Sequence, residues 1–230
     1  APVNRVGRID DRIRIRRVLA SVSDKSELDT LVPALAALDD LVIYSTGGTH
    51  GRIAELLGER AAGRLKQVSA YTGQPEMQGG LVKTLDFRIY LGLLSEPFND
   101  AHDADRERLD ADLIDMVVVN LYPFRSVASR SGSDAEDARS NIDIGGPCML
   151  RAAAKSYLRV VPVCDPTDYA TIADELAGNE GTIGLETRYR LAQKAFGHTA
   201  QYDTAIAEYL AERSFAQATA PYELATGGAE

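Results

Sequence analysis

Leu41-Val42-Ile43-Tyr44 runs directly into Ser45-Thr46-Gly47-Gly48-Thr49, and a helical pattern follows from Arg52 to Leu57. The apolar run reads as a buried strand, and the paired glycines with three hydroxyls read as a tight turn. A strand that ends in a glycine turn and passes at once into a helix is the repeating unit of a parallel α/β sheet. The start of the helix leaves backbone N–H groups unpaired and presents the positive end of the helix dipole. Ser45, Thr46 and Thr49 add hydroxyl donors, and Gly47 and Gly48 permit close approach, so the turn is placed to hold a phosphate. Neither a P-loop nor a GxGxxG fingerprint occurs, which removes support for triphosphate and dinucleotide ligands.

Working outward, Arg17-Val18-Leu19-Ala20-Ser21-Val22 predicts a neighbouring strand that ends in Ser21-Val22-Ser23-Asp24-Lys25. Ser26 is expected to cap a helix through Leu38, with Pro33 kinking it or limiting its first turn. Two adjacent strand ends that both feed helices open into one crevice, where Ser21, Ser23 and Lys25 would join the glycine turn. The run from Leu113 to Val119 is the strongest strand candidate. Arg159-Val160-Val161-Pro162-Val163 is another, with Pro162 placing it at a sheet edge or strand end. Thr167–Leu176 and Glu186–Leu210 read as helices. The expected fold is α/β, a Rossmann-like parallel sheet with helices on both faces, plus a helical C-terminal layer. Residues 1–15, rich in arginine, read as a basic N-terminal tail, and residues 215–230 as a flexible C-terminal tail.

Composition narrows the function classes. The chain has 230 residues, 45% of them hydrophobic, and a formal net charge of −9. That charge argues against a nucleic-acid partner, whose phosphates require a basic face. No stretch approaches membrane-spanning length, and Arg16-Arg17 is followed by too short an apolar run for an export signal. Cys148 and Cys164 read as reduced thiols of a cytoplasmic protein. Three histidines and two separate cysteines form no metal-ligand spacing, so no metal is expected.

Three further segments carry candidate chemistry. Lys83 and Thr84 end a polar, glycine-rich stretch from Thr72, and Lys83 lies between Val82 and Leu85, where its ammonium could act as a directed cation. Asn120 and Tyr122 follow the strongest strand. Asp143, Gly145 and Gly146 lead into a helix that carries Lys155. Taken singly, each has a plain structural reading: a solvent-facing lysine, a packed aromatic, a helix cap, an exposed helical lysine.

Read in chain order, these segments resemble the inosine monophosphate cyclohydrolase domain of the bifunctional purine-synthesis enzyme, which has the methylglyoxal-synthase-like fold. The resemblance runs from Val18 to Leu210. Besides the segments above it includes Leu150-Arg151-Ala152-Ala153-Ala154-Lys155, Leu185-Glu186-Thr187-Arg188 and His198-Thr199-Ala200-Gln201-Tyr202-Asp203. It implies a cyclohydrolase-like domain over residues 16–214 that closes the pyrimidine ring of a nucleotide without a cofactor. The catalytic residues it implies are Lys83, Tyr122, Asp143 and Lys155, with Lys83 polarising the formyl oxygen. It also implies a homodimer.

The sequence departs from the family in places. Where the family reads Arg-Val-Lys-Thr-Leu-His-Pro, this chain has Leu81-Val82-Lys83-Thr84-Leu85-Asp86-Phe87, and Tyr90 replaces a second histidine. Leu81 removes a guanidinium from beside the expected anion site. Ala220-Pro221-Tyr222-Glu223-Leu224 replaces the segment that leads into the formyltransferase domain, so no such domain is expected and a separate formyltransferase would act upstream. Three readings stay open: a stand-alone cyclohydrolase making inosine monophosphate, a paralogue closing a related ring in nucleoside natural-product synthesis, and a non-catalytic nucleotide sensor.

Overall fold

The computed structural model describes residues 5–74 and 84–225. Among these, β1 (Arg12–Arg14) precedes β2 (Arg17–Val22), α1 (Leu28–Ala36), β3 (Val42–Ser45), α2 (Gly47–Leu57), β4 (Leu65–Gln67) and α3 (Val68–Thr72). After Lys83 come α4 (Phe87–Leu94), α5 (Asp100–Arg108), β5 (Met116–Asn120), α6 (Phe124–Ala128), α7 (Ala135–Ser140) and α8 (Gly145–Lys155). The chain continues through β6 (Val161–Val163), α9 (Tyr169–Gly178), β7 (Thr182–Gly184), α10 (Leu185–Ala211) and α11 (Phe215–Thr219).

Five strands form one parallel sheet in the order β4-β3-β2-β5-β6. Side chains alternate across it with period two. Val18, Ala20, Ile43, Met116, Val118 and Val161 face α1, α2 and α9 in one core. Leu19, Tyr44, Val117 and Val119 face α4, α8 and α10 in the other. Both faces are covered, as the near-continuous apolar strands require. Pro162 lies in β6 at the sheet edge, where its missing N–H interrupts no ladder on the outer side.

The chain leaves β2 toward β3 on one side and later adds β5 on the other, so the order reverses between β2 and β5. The carboxyl ends of strands at such a reversal splay their loops apart and open a crevice.

Several expected boundaries are corrected. The N-terminal stretch is not a free tail: β1 pairs antiparallel with β7, and Ile15 is buried. The Arg188 guanidinium, fully buried in α10, donates to the carbonyls of Asp10, Asp11, Tyr157, Leu158 and Ile183. Five donors in a planar fork let one arginine hold three segments, work that a lysine's point charge does not do. The C-terminal stretch likewise begins with a capped helix: Ser214 and Gln217 form a capping box, and the Tyr222 hydroxyl donates to Glu136 of α7. Ser26 does not cap α1; its N–H is held by the Asp24 carboxylate at 2.9 Å, and the helix starts after Glu27. The glycine turn is mostly the first turn of α2 rather than a loop.

Candidate active site

A cleft of about 510 Å³ opens at the carboxyl ends of β2, β3 and β5. Ser21, Ser23 and Lys25 line it from β2, Thr46, Gly47, Gly48 and Thr49 from β3, and Asn120 and Tyr122 from β5. The opposite wall is Thr84 with the stretch from Ser140 to Gly146. Lys83 lies outside the described residues, as does Leu81.

The wall at α2 is built for an anion. Thr46 is the residue before the helix, yet its hydroxyl makes no cap bond and instead meets the Ser21 hydroxyl at 2.8 Å. The N–H groups of Gly47 and Gly48 therefore begin the helix without intrahelical acceptors. Gly47 sits at φ 43°, in the left-handed region where a side chain is strained. Lys25 reaches over this turn and is the one basic side chain among the described lining residues.

Three expected binding groups serve structure instead. The Ser45 hydroxyl is buried outside the cleft and donates to the Ala20 carbonyl at 2.8 Å. Thr49 accepts the Val22 N–H and donates to the Val22 carbonyl, each at 3.0 Å, which locks α2 to the end of β2. Asn120 pairs through its amide with both backbone groups of Asp24 at 2.8 Å. Each hydroxyl or amide spent on backbone fixes a strand end, so the turns between them stand rigidly.

Asp143, on the opposite wall, meets Tyr122 just beyond the end of β5. Asp143 Oδ1 accepts the N–H of Gly146 at 2.9 Å, and the Tyr122 backbone N–H also donates to this carboxylate. Burial pushes the Asp143 carboxyl above its ordinary value, and the two N–H donors only partly oppose this. Tyr122 lines the cleft and is 57% exposed. Gly145 and Gly146 are required by close approach: a Cβ at Gly145 would lie 2.6 Å from Thr84 Oγ1, and one at Gly146 would lie 2.5 Å from Asp143 Oδ2. Thr84 itself is buried against this helix start.

Lys155 is not brought to the cleft. It closes α8 at the opposite end, about 15 Å along the axis from Gly145, and is exposed. Asp86 is not a cleft residue either. It caps α4 by accepting the Arg88 N–H at 2.8 Å, and it takes a second bond from Gln74 Nε2 at 2.8 Å. Tyr90 turns into the core beside Cys148.

Asn141, Ile142 and Met149, which carried no expected role, line the cleft. Tyr202 of α10 was also missed: the backbone N–H of Asp143 donates to its hydroxyl at 2.8 Å. The only sequence signal for it was its place in the His198–Asp203 segment.

The model of the MGS-like domain matches residues 27–148, just over half of the chain. The chain belongs to the MGS-like domain family. A second model, that of the AICARFT/IMPCHase bienzyme, matches residues 153–228. Among solved structures, the crystal structure of ForH is 30% identical, with a TM-score of 0.72 over 85% of this chain and 99% of that one. This MGS-like domain is inosine monophosphate cyclohydrolase-like. The two model matches meet inside α8, so the helix whose first turn lines the cleft also joins the MGS-like part to the bienzyme part. Among the described residues, no helix is long and apolar enough to cross a membrane.

Proposed function

We propose that the chain closes a pyrimidine ring on a formamidoimidazole carboxamide nucleotide or a close analogue, with loss of water. The observation that carries this reading is the pairing, in one cleft, of an anion-ready helix start under Lys25 with a half-buried carboxylate on the facing wall beside the exposed Tyr122.

The chemistry asks for little beyond placement. The carboxamide nitrogen attacks the formyl carbon, and a new C–N bond forms as the C–O double bond opens. The attacking nitrogen gives up one proton and the formamide nitrogen another, and both leave with the formyl oxygen as water. Both reacting groups belong to one substrate, so holding it in a reactive pose removes much of the barrier. Asp143, with its raised affinity for a proton, takes the proton from the attacking nitrogen. The Tyr122 phenol donates to the formyl oxygen as charge grows on it. Lys83, assigned on sequence resemblance, adds a cation to that oxygen. A homodimer and a formyltransferase acting upstream belong to the same reading.

The purified chain is to be mixed with 5-formamidoimidazole-4-carboxamide ribotide and ring closure followed by absorbance. Turnover that Lys83→Ala abolishes supports the reading. Tight binding of the ribotide without turnover rules out inosine monophosphate formation and leaves an analogue substrate or a nucleotide sensor. A second reading, ring closure on a related heterocyclic carboxamide nucleotide, is favoured by positions 86 and 90: both family histidines are replaced by side chains that face away from the cleft. Turnover of such an analogue but not of the ribotide selects it.

A further inference from the structure

Tyr202 belongs to α10, which contributes no lining residue to the cleft, yet it touches both segments that carry the reactive groups. Its hydroxyl accepts the Asp143 N–H at 2.8 Å and faces the Asn141 carbonyl at 3.5 Å. Its ring meets Phe124, two residues beyond Tyr122, edge-on with centroids 6.3 Å apart. Tyr202 is 8% exposed. Seven residues on, and so on the same face of α10, Tyr209 also packs edge-on against Phe124 at 5.5 Å and donates to the Asp134 carbonyl at 3.3 Å. Two tyrosines thus hold the two ends of the α7 segment, one before the helix and one at the turn that presents Asp143.

Packing alone does not account for the hydroxyl at position 202. Phenylalanine would fill nearly the same volume, and it would leave the Asp143 N–H without its partner. The carboxylate is otherwise fixed from α8 through Gly146 and from β5 through Tyr122, so the contact from α10 is what holds its main chain.

We propose that Tyr202 is the positioning residue for Asp143, acting through the main chain of the turn from Asn141 to Asp143. The assignment rests on the ring-closing reading above for its kinetic consequence but not for its geometry. The titratable groups around the pair are the Tyr122 phenol at the end of β5, Lys25 across the cleft and Asp203 beside Tyr202 on α10.

The test compares Tyr202→Phe with Tyr209→Phe, which loses a hydroxyl from the same helix face but remote from Asp143. Tyr202→Phe is expected to lower kcat on the order of 10- to 100-fold with KM within about twofold. It is also expected to move the acidic limb of the kcat–pH profile, while Tyr209→Phe leaves both in place at a similar thermal stability. A 13C NMR titration of the Asp143 carboxyl, assigned with Asp143→Asn, gives a readout without turnover: its midpoint moves in Tyr202→Phe and not in Tyr209→Phe. An unmoved midpoint in Tyr202→Phe overturns the proposal. A wild-type chain that never turns over substrate overturns the ring-closing reading, and the midpoint still decides the role of Tyr202.

Discussion

The Lys25 ammonium lies against the first turn of α2: a Cβ placed on Gly48 would stand 3.8 Å from Nζ. Its own side chain reaches back to the carbonyls of Ser23 at 3.4 Å and Val22 at 3.5 Å, long contacts that a phosphate oxygen would outcompete. Charge and free helix N–H groups therefore converge on one point. Replacing Lys25 with methionine should raise KM for a nucleotide substrate about tenfold and leave kcat within about threefold, since the phosphate contact is equal in ground and transition states. Steady-state kinetics at two ionic strengths measure this, and the salt dependence of KM should flatten in the variant.

On the ring-closing reading, with Asp143 as the base, this carboxylate should link activity to stability with opposite signs. Its folded carboxyl titrates above the ordinary value, so the folded state binds the proton more tightly than the unfolded chain does. The stability from this group is greatest below the ordinary carboxylate pKa and is lost as pH rises through the folded value. Activity should run the other way, rising with pH through that same folded value as the base ionises. Asp143→Asn should therefore cost at least about 100-fold in kcat while holding or raising the thermal midpoint at neutral pH. Turnover and thermal unfolding of the same preparation give both numbers.

The contact between Thr84 and Gly145 is testable by stability alone. Gly145→Ala drives a methyl to 2.6 Å from Thr84 Oγ1 and should destabilise by about 1–3 kcal/mol. Thr84→Ala removes the obstructing atom. The double variant should recover most of the loss, giving a favourable coupling energy in a double-mutant cycle read by denaturant unfolding.

Arg188 predicts a purely structural effect. Its guanidinium serves five carbonyls, none on a residue that lines the cleft. Arg188→Met should lose more than about 3 kcal/mol because several buried acceptors become unpaired. Arg188→Lys should restore little of it. Nucleotide affinity, measured where the variant is still folded, should change less than about twofold.

Strands β2, β3, β5 and β6 were legible because their apolar runs are short and rich in aliphatic residues, whereas β4 and the order of the sheet were not. Pro162 at an edge strand and the long helix from Leu185 also followed from local rules. What the sequence hid was the use of each polar side chain. Ser45 and Thr49 have the same chemistry as Ser21 and Thr46, and only three-dimensional proximity decides which hydroxyls bond to backbone and which stay in the cleft. The pairing of β1 with β7 was equally hidden, since three-residue strands far apart in the chain carry no mutual signal. Lys155 illustrates a different gap: resemblance assigned it to the site, whereas helix arithmetic from Gly145 puts it at the other end of α8.

The closure of β1 on β7 sets a schedule for synthesis. Arg12 waits for its ladder partner Gly184, about 170 residues later, before its strand can pair. At ribosomal speeds that interval is roughly 10 to 30 s. During it, the edge that β7 covers stays unpaired, and the five-stranded sheet is complete only once β6 is made, about 20 residues before β7. The nascent chain therefore carries an unpaired leading strand through most of its synthesis, an exposed edge of the kind that a holdase chaperone binds.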